Sequence, residues 1–203
     1  MQDTAPQDPA LAAKLPFQIT ICGIEELSCH AEGRVSHVLS ILDPDHLEPE
    51  AFGAYGEHAK LELRFKDVIE DGPGADAPQI SHVEQVLTFG RDILRDPEAL
   101  RHLLVHCHMG ISRSTAAMTL LLAGAQPSAS ARDVLHQVLA VRDRAWPNLR
   151  MLTLGEDLLG RPGAFSGAVG EIYRYQLDTR PQLRNFFMDI GRAREVDLAD
   201  RWK

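Results

Sequence analysis

Cysteine is scarce: three residues, Cys22, Cys29 and Cys107, in a chain of 203. The odd number and the lack of metal-like spacing exclude a disulfide framework or zinc module and leave room for a reactive thiol. Basic residues are outnumbered, with Lys and Arg at 21 against Asp and Glu at 29, a net charge of −8. Without long Lys/Arg clusters, that balance argues against general nucleic-acid binding. Any anion must be held by a locally built site. No apolar run approaches the roughly 18 residues of a membrane span. Residues 1–16 lack the basic start and apolar stretch of a secretory signal and are expected to form a flexible arm. A cytoplasmic location is the corresponding expectation.

The remaining composition, 44% hydrophobic and 25% charged, is that of a globular domain. Its length suits one hydrophobic core. Residues 17–22, 35–42 and 61–65 read as strands, the last alternating Leu61, Leu63 and Phe65 with polar residues. Residues 66–78 carry Asp, Gly and Pro and read as a loop. An apolar stripe through Ile80, Val83, Leu87 and Leu94 predicts a helix. Residues 103–106 form a short apolar run, read as a buried strand. Residues 114–123 are apolar nearly all round and predict a buried helix. Ser130 and Asp133 mark the start of another helix, which continues to Val141. Leu183, Phe186, Phe187 and Ile190 keep helical spacing in the last forty or so residues. The expected fold is α/β, with a single central mixed sheet of about four to five strands flanked by helices. The expected division is an arm over 1–16, a catalytic domain over 17–160 and a helical extension over 161–203.

The chemistry concentrates in His106-Cys107-His108-Met109-Gly110-Ile111-Ser112-Arg113-Ser114. A buried strand ends at His106 and a helix begins near Ser112. A compact loop between them wraps successive N–H groups around one point, and the helix N-terminus adds its own donors and dipole. The same donors favour a thiolate at Cys107, which is then a nucleophile for phosphorus. The planar fork of Arg113 suits two oxygens of a phosphate. The Ser114 hydroxyl can stabilise a departing thiolate. His106 is expected to hydrogen-bond backbone and hold the loop's shape. His106, Cys107 and His108 supply no second group of ligands, so neither metal nor cofactor is expected.

The pattern His-Cys-x-x-Gly-x-x-Arg-Ser resembles the signature of the protein tyrosine phosphatase superfamily, in particular its dual-specificity branch, and Ser40-Ile41-Leu42-Asp43-Pro44 with Pro147-Asn148 adds a similarity to its short bacterial members. The resemblance covers roughly residues 17–160. It implies a cysteine-phosphatase fold, a phosphocysteine intermediate, and a phosphate loop made by His108, Met109, Gly110, Ile111, Ser112 and Arg113. It also implies a general acid on a separate loop. Asp67, directly after the third strand, fits by position, and Asp71 on the same loop is the second candidate. The family's Trp-Pro-Asp form is absent. Some members protect the catalytic thiolate with a second cysteine, for which Cys22 or Cys29 would be the partner. Cys22 itself reads as a small buried strand residue, Asp43 and Asn148 as turn residues, and Phe186 and Phe187 as core.

The expected substrate is a phosphorylated protein or small phosphate ester, with oligomeric state open. The variable loop positions, His108, Met109, Ile111 and Ser112, carry no permanent cation, which points to a singly phosphorylated substrate. A phosphoinositide or other small-molecule phosphatase is the alternative within the class. A non-catalytic phospho-binding adaptor is the alternative outside it.

Overall fold

A computed structural model describes residues 17–202; the expected arm over 1–16 lies outside the described residues. Four strands, β1 (Gln18–Cys22), β2 (His37–Leu42), β3 (Ala59–Arg64) and β4 (His102–His106), form one sheet in the order β1-β4-β2-β3. All three pairings are parallel, so the sheet is not mixed. The reason lies in the connections. Each joins strands through a long excursion that returns the chain to the same end of the sheet, as parallel pairing requires. Two excursions contain short 3-10 segments, Ile24–His30 and Glu50–Ala54, and the third contains helix α1 (Ile80–Ile93).

The central strands show why they are central. All residues of β2 and β4 are buried, as expected for parallel strands covered on both faces. The period of two divides the contacts. Leu39, Ile41, Leu103 and Val105 enter the large core under the helices, while Val38 and Leu104 enter a smaller cluster with Leu27, Phe52 and Tyr55. Strand β3 lies at an edge and keeps Lys60, Glu62 and Arg64 on its wetter positions.

Helix α2 (Arg113–Ala125) is buried from Arg113 to Ala123. It packs against α1, α3 (Ala131–Val141) and α4 (Leu149–Leu158). The Ser130 side chain caps α3 by accepting from Asp133 N–H at 3.1 Å. The chain then forms α5 (Ala164–Thr179), α6 (Leu183–Asp189) and α7 (Ala193–Arg201). Phe165, Val169, Tyr173, Phe187 and Val196 from these helices belong to the same core as the sheet. Phe187 is buried, but Phe186 is 54% exposed. Among the described residues no helix is long and apolar enough to cross a membrane.

Candidate active site

The loop between β4 and α2 is built by its carbonyls. His108 O accepts from Ile24 N–H at 3.0 Å, and Met109 O and Gly110 O accept from the Arg142 guanidinium at 3.1 and 3.0 Å. Ile111 O accepts from Trp146 N–H at 2.9 Å, and Ser112 O from Ala116 N–H at 2.9 Å. Glu26 holds Arg142 in a two-pronged pair at 2.8 and 2.9 Å. In a trans peptide the N–H points opposite to the C=O. With the carbonyls turned to the framework, the amides turn the other way. The N–H groups of His108 through Arg113 have no protein acceptor among the described residues. Such a cradle of free amides at the start of a buried helix can hold an anion.

Gly110 makes the wrap possible. Its φ is +65°, and a Cβ there would lie 2.4 Å from the Cys22 carbonyl carbon. Only glycine meets both conditions.

Within this frame Cys107 is 2% exposed and its Sγ lies 3.2 Å from Ser114 Oγ. Arg113 is 3% exposed. One terminal nitrogen donates to Asp43 Oδ1 and to Phe65 O, both at 2.6 Å, while the buried Nε has no partner. A buried guanidinium N–H without an acceptor is costly unless a ligand completes it. Asp43 therefore orients the arginine, a role not assigned to it by the turn reading.

The Cys107 backbone bears on the His106 ring, and the ring's Nε2 also meets Ser40 Oγ at 2.8 Å, a side chain on β2. The cause is register, since His106 lies directly opposite Ser40 across the parallel pair. Burial pushes the His106 imidazole down to about 4, so the ring is neutral at ordinary pH. His108 is also held low, by burial and then by Arg113. It accepts from Asp43 N–H at 3.2 Å and stands edge-on to His46 at 4.6 Å. Met109 is 64% exposed at the rim.

The two acid candidates separate clearly. Asp71 is on the outside of its loop, paired with Arg150 at 2.8 Å. Asp67 is at the cradle, where its Oδ1 accepts from Ser112 Oγ at 2.7 Å. Asn148 Nδ2 donates to the same oxygen at 2.9 Å, and Arg192 at 3.1 Å. The Ser112 side chain thus serves Asp67 and does not cap α2, which leaves the helix N-terminus to a ligand. Removal from water pushes the Asp67 carboxyl up, but Arg192 and Arg113, with the Ser112 and Asn148 hydrogen bonds, outweigh it and hold the carboxyl below its ordinary range. Asn148 caps α4 as well, accepting from Met151 N–H at 3.1 Å.

Asp43, Glu26, Arg142, Asn148 and Arg192 are the site residues that sequence reading did not assign. Asp43, in Ser40-Ile41-Leu42-Asp43-Pro44, and Asn148, after Pro147, had a local signal. All three cysteines are free thiols. Cys22 lies opposite His106 in the β1–β4 pair, and burial pushes its thiol up to about 12. Cys29 is exposed. Among the described residues no group of three His, Cys, Asp or Glu side chains is placed to hold a metal.

No family model matches the chain, and no curated protein does. Solved structures do. The structure of DUSP15 is 23% identical with a TM-score of 0.54, over 83% of this chain and 95% of that one. Human DUSP28 is 17% identical with a TM-score of 0.54, over 70% and 91%. PTPMT1 in complex with PI(5)P is 12% identical with a TM-score of 0.50, over 70% and 90%. The fold is that of the dual-specificity phosphatases.

Proposed function

We propose that the chain is a cysteine-dependent phosphatase that hydrolyses phosphotyrosine, alone or together with phosphoserine and phosphothreonine, through a phosphocysteine intermediate. One observation carries this reading: six consecutive loop amides and the buried Nε of Arg113 beside them have no acceptor among the described residues, and Cys107 opens the same loop. Such an arrangement binds the equatorial oxygens of a phosphoryl group more strongly as their charge develops in the transition state.

In the first step Cys107 Sγ forms a bond to phosphorus, and the bond from phosphorus to the ester oxygen breaks. Asp67 gives its proton to that oxygen. In the second step Asp67 takes a proton from water, whose oxygen attacks phosphorus. The Cys107–phosphorus bond breaks and Ser114 donates to the departing sulfur. Asp67 must be protonated for the first step, yet Arg192 and Arg113 favour its ionised form. A dianionic phosphate resolves the conflict, because it neutralises Arg113 and its own charge raises the neighbouring carboxyl.

A singly phosphorylated substrate fits the loop. The arginine that braces the loop, Arg142, has its donors committed to Glu26 and to loop carbonyls. The rim carries the apolar, exposed Met109. The lipid reading draws on the likeness to PTPMT1 with PI(5)P. It predicts faster turnover of a phosphoinositide than of a phosphotyrosine peptide. The adaptor reading predicts that the unmodified protein binds phosphopeptide without releasing phosphate.

Replacing Cys107 by serine tests the mechanism. Turnover of an aryl phosphate should vanish while inorganic phosphate still binds. Activity retained in Cys107→Ser would remove the nucleophile from the scheme.

A further inference from the structure

A buried ion pair at the start of α7 has no step of its own in the scheme above. Arg192 is 2% exposed and Glu195 is fully buried. The Arg192 fork donates to both Glu195 oxygens at 2.8 Å. Glu195 also accepts from Trp146 Nε1 at 2.6 Å, from Leu149 N–H at 2.9 Å and from Tyr173 O–H at 3.2 Å. Buried pairs of this kind add little net stability compared with apolar packing. This one does something an apolar pair would not: its remaining terminal nitrogen reaches Asp67 Oδ1 at 3.1 Å.

The choice of oxygen is informative. Ser112, Asn148 and Arg192 all donate to Oδ1, and among the described residues no protein donor reaches Oδ2. A carboxylic acid whose Oδ1 already accepts three hydrogen bonds carries its proton on the other oxygen. The acid loop is also tied down after Asp67. Arg194 meets Glu70 at 3.3 Å, and Arg150 meets Asp71 at 2.8 Å and Pro78 O at 2.6 Å.

We propose that Arg192 is a positioning residue for Asp67. It fixes the carboxyl so that Oδ2 faces the leaving group with the proton, and through Glu195 it makes the C-terminal helices part of the active site. The proposal rests on Asp67 being the general acid. The charged and titratable groups facing Asp67 are Arg113 and His108 from the loop after β4, Arg192 just ahead of α7, and Tyr173 from α5, with Glu195 of α7 behind Arg192. Of these, Arg192 is the cation outside the cradle, so its removal leaves phosphate binding intact and relaxes the acid.

The test compares Asp67→Asn, Arg192→Met and Arg192→Lys in the full chain. It uses a phosphotyrosine peptide and an activated aryl phosphate, across the acid-to-neutral range. Arg192→Met should lower kcat on the peptide by about 10- to 100-fold, as expected for a misplaced catalytic group, and less on the activated ester, which needs little protonation. The alkaline limb of its pH profile should move up, since the cation favouring ionised Asp67 is gone. Inhibition by inorganic phosphate should not change. Arg192→Lys should keep the limb low while recovering part of the rate, because it supplies charge without the fork. Combining Arg192→Met with Asp67→Asn should add no further loss. If Arg192→Met does not fold, Arg192→Met/Glu195→Gln takes its place with the same readouts. Equal losses on both substrates with an unmoved limb, or no loss in folded protein, would overturn the proposal. An Asp67→Asn variant without leaving-group dependence would instead overturn the acid assignment.

Discussion

Replacing Gly110 by alanine adds one methyl group at the tightest point of the loop between β4 and α2. Two costs follow from the structure. The backbone there has φ +65°, and a left-handed conformation costs a non-glycine residue about 1–2 kcal/mol. The added Cβ would also lie 2.4 Å from Cys22 C, 2.6 Å from Cys22 O and 2.6 Å from Gly23 N. These are backbone atoms at the end of β1, so no rotamer change relieves the contact. The loop must withdraw from β1, which pulls its amides off the proposed phosphoryl position. A displacement of about 1 Å costs roughly 100-fold in rate. The conformational cost alone lowers the thermal midpoint by about 2–8 °C for a chain of this size, and the clash lowers it further. Thermal unfolding, kcat on an aryl phosphate and inhibition by inorganic phosphate measure the three consequences. The reasoning predicts that all three deteriorate together. A Gly110→Ala protein with an unchanged midpoint and turnover within twofold would refute the packing of this loop on β1.

Asn148→Ala removes a helix cap and a donor to Asp67. Denaturant unfolding should show a loss of about 1 kcal/mol, and turnover of phosphotyrosine should fall more than that of an activated aryl ester. Trp146 is fully buried and stacked between Tyr173 and Phe187, with centroids at 4.4 and 4.0 Å, so Trp146→Ala should cost about 3–5 kcal/mol by the same measurement. His106 gives a pH signature. Its folded value of about 4 lies below the ordinary 6.5, so the unfolded chain binds the extra proton between those values. The stability conferred by the neutral ring is complete above 6.5 and is lost as pH falls toward 4, by about 3 kcal/mol. His106→Asn should flatten the stability-versus-pH curve over that window, and an unaltered slope would contradict the assignment.

Much of the site was legible because its signals are local. The strand before Cys107, the glycine within the loop and the helix after Arg113 are consecutive, and their spacing states their geometry. The buried helix α2 announced itself by being apolar on every side. What sequence did not reveal depends on partners brought from elsewhere. His106 finds Ser40 only through strand register, and Asp43 finds Arg113 because β2 and β4 are neighbours. Arg192 meets Asp67 across a separation of 125 residues, with no periodicity or motif to mark it. The sheet is parallel rather than mixed for a related reason: strand direction is set by the length and path of the connections rather than by the strands' own residues.

The intermediate is the most direct test. Asp67→Asn should slow the water attack, so protein mixed with an activated aryl phosphate and rapidly quenched should retain a phosphoryl group. Mass analysis of the peptide carrying Cys107 reads the outcome. The phosphoryl group should be on Cys107, at close to one per active site. Release of the aryl product with Cys107 unmodified, or a phosphoryl group on another residue, would contradict the account.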